Sequence, residues 1–254
     1  MKTIDILGYR VSAVGLASDV NYSFEESTKH RSAPFIVACA NPHSLVEAAS
    51  DSDFQHALEG ADLLVPDGAG IVLASRILGT PIRERVAGME FFLEYSRVAQ
   101  SRGKVRYFFL GSSQAVLASI RSRVASDFPA IEVAGTYSPP FKTVFSEHDN
   151  TDMLQRINAA SPDVLWVGMT APKQEKWIHE HRSRLRVPMA AAIGAVFDFY
   201  AGSKKRAPAW VQNIGLEWLP RLIREPRRLA RRNFISSPLF LARVLAQKVR
   251  GQVQ

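Results

Sequence analysis

Residues 61–78 read ADLLVPDGAGIVLASRIL, a short apolar run followed by a glycine-containing turn and a second apolar segment. The run at 61–66 has the length and composition of a buried β-strand, and it stops at Asp67, where the turn Asp-Gly-Ala-Gly begins. Residues 71–78 carry apolar side chains at helical spacing. The stretch therefore predicts a strand, a turn and a helix in that order.

The same order recurs along the chain. Strands are predicted at 34–40, 61–66, 105–110, 163–167 and 188–193, and helices are predicted to begin at 44, 71, 114 and 173, the last running to 185. Continuous apolar strands that alternate with helices are typical of a parallel sheet covered on both faces. We expect an α/β protein with a Rossmann-like, mostly parallel sheet, helices on both faces and a basic helical C-terminal appendage.

The ends of these predicted strands are where ligands are expected. Open α/β folds bind ligands at the carboxyl edge of the sheet, where helix N-termini offer backbone N–H groups to an anion such as a diphosphate. Asp67 lies at such an end, so its carboxylate is a candidate general base. The alternative is a turn aspartate that only caps the next helix, with glycines that only permit tight turns.

A second candidate segment is Pro172-Lys173-Gln174-Glu175, which begins a predicted helix after Gly168. Lys173 and Gln174 are placed to meet a substrate, and Glu175 is expected to complement the helix dipole. Simple helix capping is the alternative. His179 and His181 lie on a charged helix and are expected to be solvated.

Several familiar kinds of site are not indicated. The turn at 67–70 matches neither the dinucleotide-binding fingerprint nor the P-loop, which argues against NAD chemistry and ATP hydrolysis. No Cys/His cluster has metal-ligand spacing, and no G-x-S-x-G elbow occurs. An epimerase acting on nucleotide sugars would need the missing NAD fingerprint.

Charge divides the chain into two parts. Residues 203–254 contain 12 basic and 2 acidic residues, whereas residues 1–202 contain 20 basic and 22 acidic ones. We therefore predict an α/β core at 1–202 and a basic appendage at 203–254 that contacts an anionic partner. The appendage is rich in arginine, which suits bidentate phosphate recognition: Arg206, Arg221, Arg224, Arg227, Arg228, Arg231 and Arg232.

The appendage is predicted to be helical, with helices at 215–224, from Pro226, and after Ser237 as an N-cap. The last helix combines a broad apolar face with Arg243, Lys248 and Arg250. Such a helix can lie on an anionic membrane surface, or it can pack on its own body or on a partner subunit. Composition alone also permits nucleic-acid binding by the basic tail.

Compartment is suggested by cysteine content and by the N-terminal sequence. The only cysteine is Cys39, Asp5 and Arg10 interrupt any N-terminal apolar run, and the longest uncharged apolar stretch, 187–197, is too short to cross a bilayer. A cytoplasmic protein that is peripherally associated with the inner face of the cell membrane is expected.

Four segments resemble the WecG/TagA/CpsF glycosyltransferases. They are Asn41-Pro42, LLVPDGAGIVLASRILGTPIRERVAG at 63–88, DVLWVGMTAPKQEKWI at 163–178, and FDFYAGSKKRAPAWVQNIGLEWLPRLIREPRRLARR at 197–232. The resemblance spans about residues 35–235. Cys39 and Thr170 stand where the family commonly has threonine and glycine, and both differences bear on which sugar fits.

The resemblance implies an inverting transfer of a sugar from a UDP-sugar to a polyprenyl-diphosphate-linked sugar in bacterial cell-surface polysaccharide biosynthesis. It implies that Asp67 is the catalytic base. It also implies these substrate-binding residues: Asn41, Arg85, Gln174, Arg221, Arg228 and Arg231. No cofactor is expected, because the UDP-sugar is a substrate, and no nucleic acid is expected as a partner. A metal requirement and a homo-oligomer are left open.

Overall fold

A computed structural model describes residues 1–29, 32–204 and 231–251, with the backbone alone at 231–233. Eight strands form one sheet in the order β1-β2-β4-β3-β8-β7-β5-β6. Only the pairing of β1 with β2 is antiparallel, and the other described pairs are parallel. The α/β class with a mostly parallel sheet is thus confirmed. The strands are β1 Thr3–Ile6, β2 Tyr9–Ser12, β3 Phe35–Ala40, β4 Leu63–Pro66, β5 Val105–Gly111, β6 Ile131–Tyr137, β7 Val164–Gly168 and β8 Met189–Ala192.

Helices cover both faces of the sheet. One core cluster joins the sheet to α2, α3, α4, α7, α8 and the C-terminal helix α10, and the other joins it to α1, α5, α6 and α9. The helices are α1 Leu16–Thr28, α2 Pro42–Ala48, α3 Ser52–Glu59, α4 Ala69–Ile77, α5 Gly88–Arg102, α6 Gln114–Asp127, α7 Glu147–Ala160, α8 Lys173–Glu180, α9 Val196–Tyr200 and α10 Ser237–Gly251.

Burial explains which strands the sequence predicts. Every residue of β4 and β8 is buried, so these central strands are continuous apolar runs. In β1 exposed and buried residues alternate, and β6 is mostly half-buried. The sequence analysis therefore does not predict β1, β2 or β6, which carry polar residues on their exposed faces.

The C-terminal helix packs on the core. Phe240 and Val244 are fully buried in the cluster that includes α2 and α4, and the Gln247 side chain accepts a hydrogen bond from the Leu7 N–H at 2.9 Å. The predicted helix after Ser237 is confirmed, but Ser237 as its N-cap is wrong, because the chain is already π-helical at Arg231–Ser236. The helices predicted at 215–224 and from Pro226 lie outside the described residues.

Two other predictions need correction. The helix predicted at 173–185 ends at Glu180, because His181 takes a non-helical cap conformation. None of the described helices is long and apolar enough to cross a membrane. The boundary between a core at 1–202 and an appendage at 203–254 stays a prediction.

Candidate active site

The candidate site lies at the carboxyl edge of the sheet, above β4, β3 and β8. Asp67 directly follows β4, and its backbone N–H donates a hydrogen bond to the Ala40 carbonyl oxygen at the end of β3, at 2.8 Å. Its side chain is half-buried. The adjacent strand ends therefore hold the Asp67 backbone in place, as expected for a catalytic carboxylate.

Helix α4 begins immediately after Asp67. Its N-cap, Gly68, has a φ of 101°, a left-handed conformation that favours glycine, and no described side chain caps the first turn. A Cβ on Gly70 would lie 2.4 Å from Pro42 Cγ, so glycine allows the first turns of α4 and α2 to approach closely. The N–H groups at the start of α4 consequently lie next to the Asp67 backbone and are not capped by a described side chain.

Asn41 performs a structural task at the same edge. Its Oδ1 accepts a hydrogen bond from the Ser44 N–H at 3.0 Å, and Ser44 Oγ accepts one from the Asn41 N–H at 2.9 Å, forming a capping box for α2. The side chain thus caps a helix, and its amide N–H₂ group has no acceptor among the described residues.

Arg85 lies in the connection between α4 and α5. The next residue, Val86, donates its N–H to the Pro66 carbonyl oxygen at 2.9 Å, which holds this connection against the end of β4. Arg85 Nη2 lies 3.7 Å from Glu90 Oε1. The predicted substrate-binding arginine is therefore held close to Asp67 in the fold, although 18 positions separate the two residues in the sequence.

The first turn of α5 lies over the ends of β3 and β8. A Cβ on Gly88 would be 3.4 Å from the Ile193 carbonyl oxygen and 3.6 Å from Cys39 Sγ. Burial raises the pKa of the Cys39 thiol, and the charges of Asp67, Glu175 and Glu90 raise that pKa further. The charges of carboxylates from three separate segments therefore act on the Cys39 thiol.

Gln174 and Glu175 form a buried pair at the start of α8. Gln174 Oε1 accepts the Gly194 N–H at 3.1 Å, and its Nε2 donates to Glu175 Oε1 at 2.8 Å. Burial is the main reason that the pKa of Glu175 rises to about 7. Glu175 lies in the first turn of α8, where an acidic side chain complements the helix dipole as expected, but the side chain is buried.

The described chain does not bring together all the predicted residues. Arg221 and Arg228 lie outside the described residues, and for Arg231 only the backbone is described, in the π-helical segment. His179 is exposed as expected, but the prediction for His181 is wrong, because its ring is buried edge-on against Trp177. Within residues 1–29, 32–204 and 231–251, no three Asp, Glu, His or Cys side chains are grouped to hold a metal ion.

The sequence analysis did not single out Glu90 or recognise the burial of Glu175. Both residues follow helix starts, where acidic side chains are common for reasons of dipole and capping. Only the packing of α5 and α8 over the strand ends distinguishes these carboxylates from surface ones.

The chain is similar to known proteins over most of its length. A family model described as the glycosyl transferase WecG/TagA/CpsF family matches residues 4–254. The chain is 36% identical over 211 residues to the N-acetylglucosaminyldiphosphoundecaprenol N-acetyl-beta-D-mannosaminyltransferase of Bacillus spizizenii, an alignment covering 83% of this chain and 78% of the relative.

Proteins of the same name from two other bacteria are also similar. Identity is 32% over 213 residues for Bacillus subtilis, covering 84% of this chain and 80% of the relative. It is 25% over 248 residues for Staphylococcus aureus, covering 96% and 93%. These comparisons offer no support for the nucleic-acid-binding alternative. Because the family model spans nearly the whole chain, the chain belongs to the WecG/TagA/CpsF family of glycosyltransferases.

Proposed function

We propose that this enzyme transfers a sugar from a UDP-sugar to a polyprenyl-diphosphate-linked sugar, with inversion at the anomeric carbon, in cell-surface polysaccharide biosynthesis. The observation that carries the proposal is the position of Asp67. It joins the end of β4 to the N-cap of α4, so a candidate base adjoins backbone N–H groups at the start of a helix that the side chain of its own N-cap, Gly68, does not cap.

Asp67 is the general base of the proposed reaction. The acceptor hydroxyl oxygen attacks the anomeric carbon while the bond from that carbon to the phosphate oxygen breaks, and UDP leaves with the bonding electron pair. The hydroxyl proton passes to the Asp67 carboxylate. Attack from the face opposite to the leaving group inverts the anomeric configuration.

The leaving diphosphate needs positive charge and hydrogen-bond donors. The start of α4 supplies backbone N–H groups and the positive end of the helix dipole, and Arg85 supplies a guanidinium from the neighbouring connection. Arg221, Arg228 and Arg231 complete the proposed phosphate-binding set. Asn41 Nδ2 and Gln174 Nε2 are the proposed amide donors to substrate oxygens.

The outer face of α10 is the proposed membrane contact. At about 100° per residue, Val249 lies on the opposite side of the helix from the buried Phe240. Leu245 and Val249 are 53% and 62% exposed, and the helix sequence contains Arg243, Lys248 and Arg250 but no acidic residue. An apolar stripe with basic residues suits the anionic cytoplasmic leaflet, where a lipid-linked acceptor would be located.

The names of the relatives indicate which acceptor to test first. They specify transfer of N-acetylmannosamine to N-acetylglucosaminyldiphosphoundecaprenol. For this chain we propose the same class of acceptor, a polyprenyl diphosphate that carries an N-acetylated hexosamine.

The test is UDP release with three acceptor conditions: the polyprenyl-diphosphate sugar, the corresponding monophosphate, and none. We expect release from a UDP-N-acetylhexosamine with the diphosphate acceptor and little release with the other two. A matched control is Asp53→Asn, which changes a highly exposed carboxylate on α3 and should be fully active. Equal release in all three conditions would refute transfer to a lipid diphosphate.

A further inference from the structure

The side-chain amide of Gln174 is held from both ends by groups of opposite hydrogen-bonding character. The Gly194 N–H can only donate, and it donates to Gln174 Oε1. Glu175 Oε1 accepts from Gln174 Nε2. Turning the amide over would place an N–H₂ group against the Gly194 N–H and a carbonyl oxygen against the Glu175 oxygen, so both hydrogen bonds would be lost.

Gly194 lies next to the Gln174 amide. It follows β8 with a φ of 56°, and a Cβ added there would lie 3.5 Å from Gln174 Nε2 and 3.8 Å from Oε1. The amide therefore packs directly on the Gly194 backbone. Gln174 Oε1 is directed towards the residue that follows β8. One hydrogen of Gln174 Nε2 bonds to Glu175, and the other does not.

We propose that Glu175 is the positioning residue that fixes the amide orientation of Gln174 for substrate binding. The inference rests on the proposed function, because Gln174 is a proposed substrate-binding residue. Glu175 itself acts through Gln174. An apolar residue of similar size could fill the same buried space, but it could not accept the Nε2 hydrogen bond.

The burial of Glu175 supports a specific role for its carboxyl group. The side chain is 6% exposed, and its Oε2 has no hydrogen-bond partner among the described residues. A buried carboxyl group with one unsatisfied oxygen destabilises a fold, and such groups persist mainly where they do something specific. The neighbouring Lys176 has a separate partner, since it pairs with Asp51, the N-cap of α3, at 2.7 Å.

The groups that influence Glu175 come from its own helix and from β3. On its own helix the neighbours are Gln174 and the paired Lys176. The charge of Glu175, like those of Asp67 and Glu90, raises the pKa of the Cys39 thiol on β3. The pKa of Glu175, raised to about 7 by burial, means that this carboxyl group changes charge near neutral pH while it holds Gln174.

The first test is a double-mutant cycle with Glu175→Leu and Gln174→Leu, measured as kcat/KM for the UDP-sugar. Loss of one hydrogen bond and of the fixed orientation should lower kcat/KM about tenfold or more in each single variant. The double variant should be no worse than Gln174→Leu alone, because both changes remove the same interaction. Glu175→Gln keeps an oxygen acceptor and should restore most of the activity.

Additive losses in the double variant, or a Glu175→Gln variant as poor as Glu175→Leu, would overturn the inference. The control is Ile178→Ala, a buried position on the same helix, which should lower the melting temperature without changing KM. If Gln174→Leu is fully active while Asp67→Asn is not, Gln174 has no part in substrate binding, so this inference fails and the proposed transfer stands.

A second readout does not depend on turnover. In isotope-labelled protein, the side-chain N–H₂ resonances of Gln174 should shift with pH between about pH 5 and pH 9, with a midpoint near the pKa of Glu175. The shift should be absent in Glu175→Gln. Resonances that stay constant with pH in the wild-type protein would contradict the contact, even if no transferase activity were found.

Discussion

Replacing Asp67 with asparagine should remove the catalytic base while preserving the fold. The amide is nearly isosteric with the carboxylate but cannot take up a proton. The contact that holds the segment, from the Asp67 N–H to the Ala40 carbonyl oxygen, belongs to the backbone, and so does the start of α4 at Gly68. We therefore expect the melting temperature to change little.

The expected loss of activity follows from the role of a general base. Such groups contribute roughly 10²–10⁴-fold to the rate, which corresponds to about 3–5 kcal/mol of transition-state stabilisation. The loss should appear in kcat, since the proposed diphosphate donors are backbone N–H groups and arginines. UDP binding, measured by calorimetry, should be unchanged or slightly tighter, because a negative charge near the diphosphate is removed.

The assay is acceptor-dependent UDP release at saturating donor, with Asp53→Asn as the matched carboxylate control. Activity of Asp67→Asn within a factor of about two of the wild type would refute the base assignment. A large loss of UDP affinity with unchanged kcat would instead assign Asp67 to donor binding.

Three further predictions concern the membrane face, the arginines and pH. The double variant Leu245→Glu, Val249→Glu should no longer float with anionic liposomes, and its melting temperature should be unchanged. The control Val144→Glu, also at an exposed apolar position, should float normally. Normal flotation of the double variant would place the membrane contact elsewhere. Single Arg→Lys changes at Arg221, Arg228 and Arg231 should lower turnover but leave liposome binding intact, because lysine keeps the charge and loses the bidentate fork; full activity of all three would refute direct phosphate contact. The pKa of Glu175 is about 7 in the folded state, against the usual 4.5. Between these two pH values the folded state holds a proton that the unfolded chain releases. The free energy of unfolding should therefore fall as pH rises from 4.5 to 7 and level off above that. Measured by urea denaturation, this decrease in the free energy of unfolding should be about 3 kcal/mol smaller in Glu175→Gln. The buried Asp19, whose pKa rises to about 6, should account for part of the decrease that remains. An identical pH profile in the variant would contradict the raised pKa of Glu175.

The central strands are predictable from the sequence because both their faces are buried. β3, β4, β7 and β8 are continuous apolar runs, β5 is one apart from Arg106, and each predicted strand overlaps an observed one. The edge strands β1 and β6 have residues on one face that contact solvent, so local composition does not distinguish them from loops. The helix predicted to continue to 185 ends at Glu180, because His181 takes a non-helical cap conformation and its ring is buried edge-on against Trp177, four residues earlier.

The site is predictable to the extent that its residues follow strands. Asp67 and Asn41 directly follow β4 and β3, so the parallel topology brings them to one edge. The electrostatic effect of Glu90 and Glu175 on Cys39 depends on how α5 and α8 lie over the sheet. Sequence periodicity carries no information about that arrangement, and for this reason the burial of Glu175 and the position of Glu90 became evident only in the structure.

The anomeric configuration of the lipid-linked product tests the central claim most directly. With a UDP-N-acetylhexosamine whose sugar is α-linked, and a polyprenyl-diphosphate sugar as acceptor, a single displacement assisted by Asp67 must form a β-linked product. The one-bond carbon–proton coupling constant at the new anomeric centre, together with a mass increase of one glycosyl unit, would establish this outcome. An α-linked product, or free sugar released with no change in the mass of the acceptor, would contradict the account.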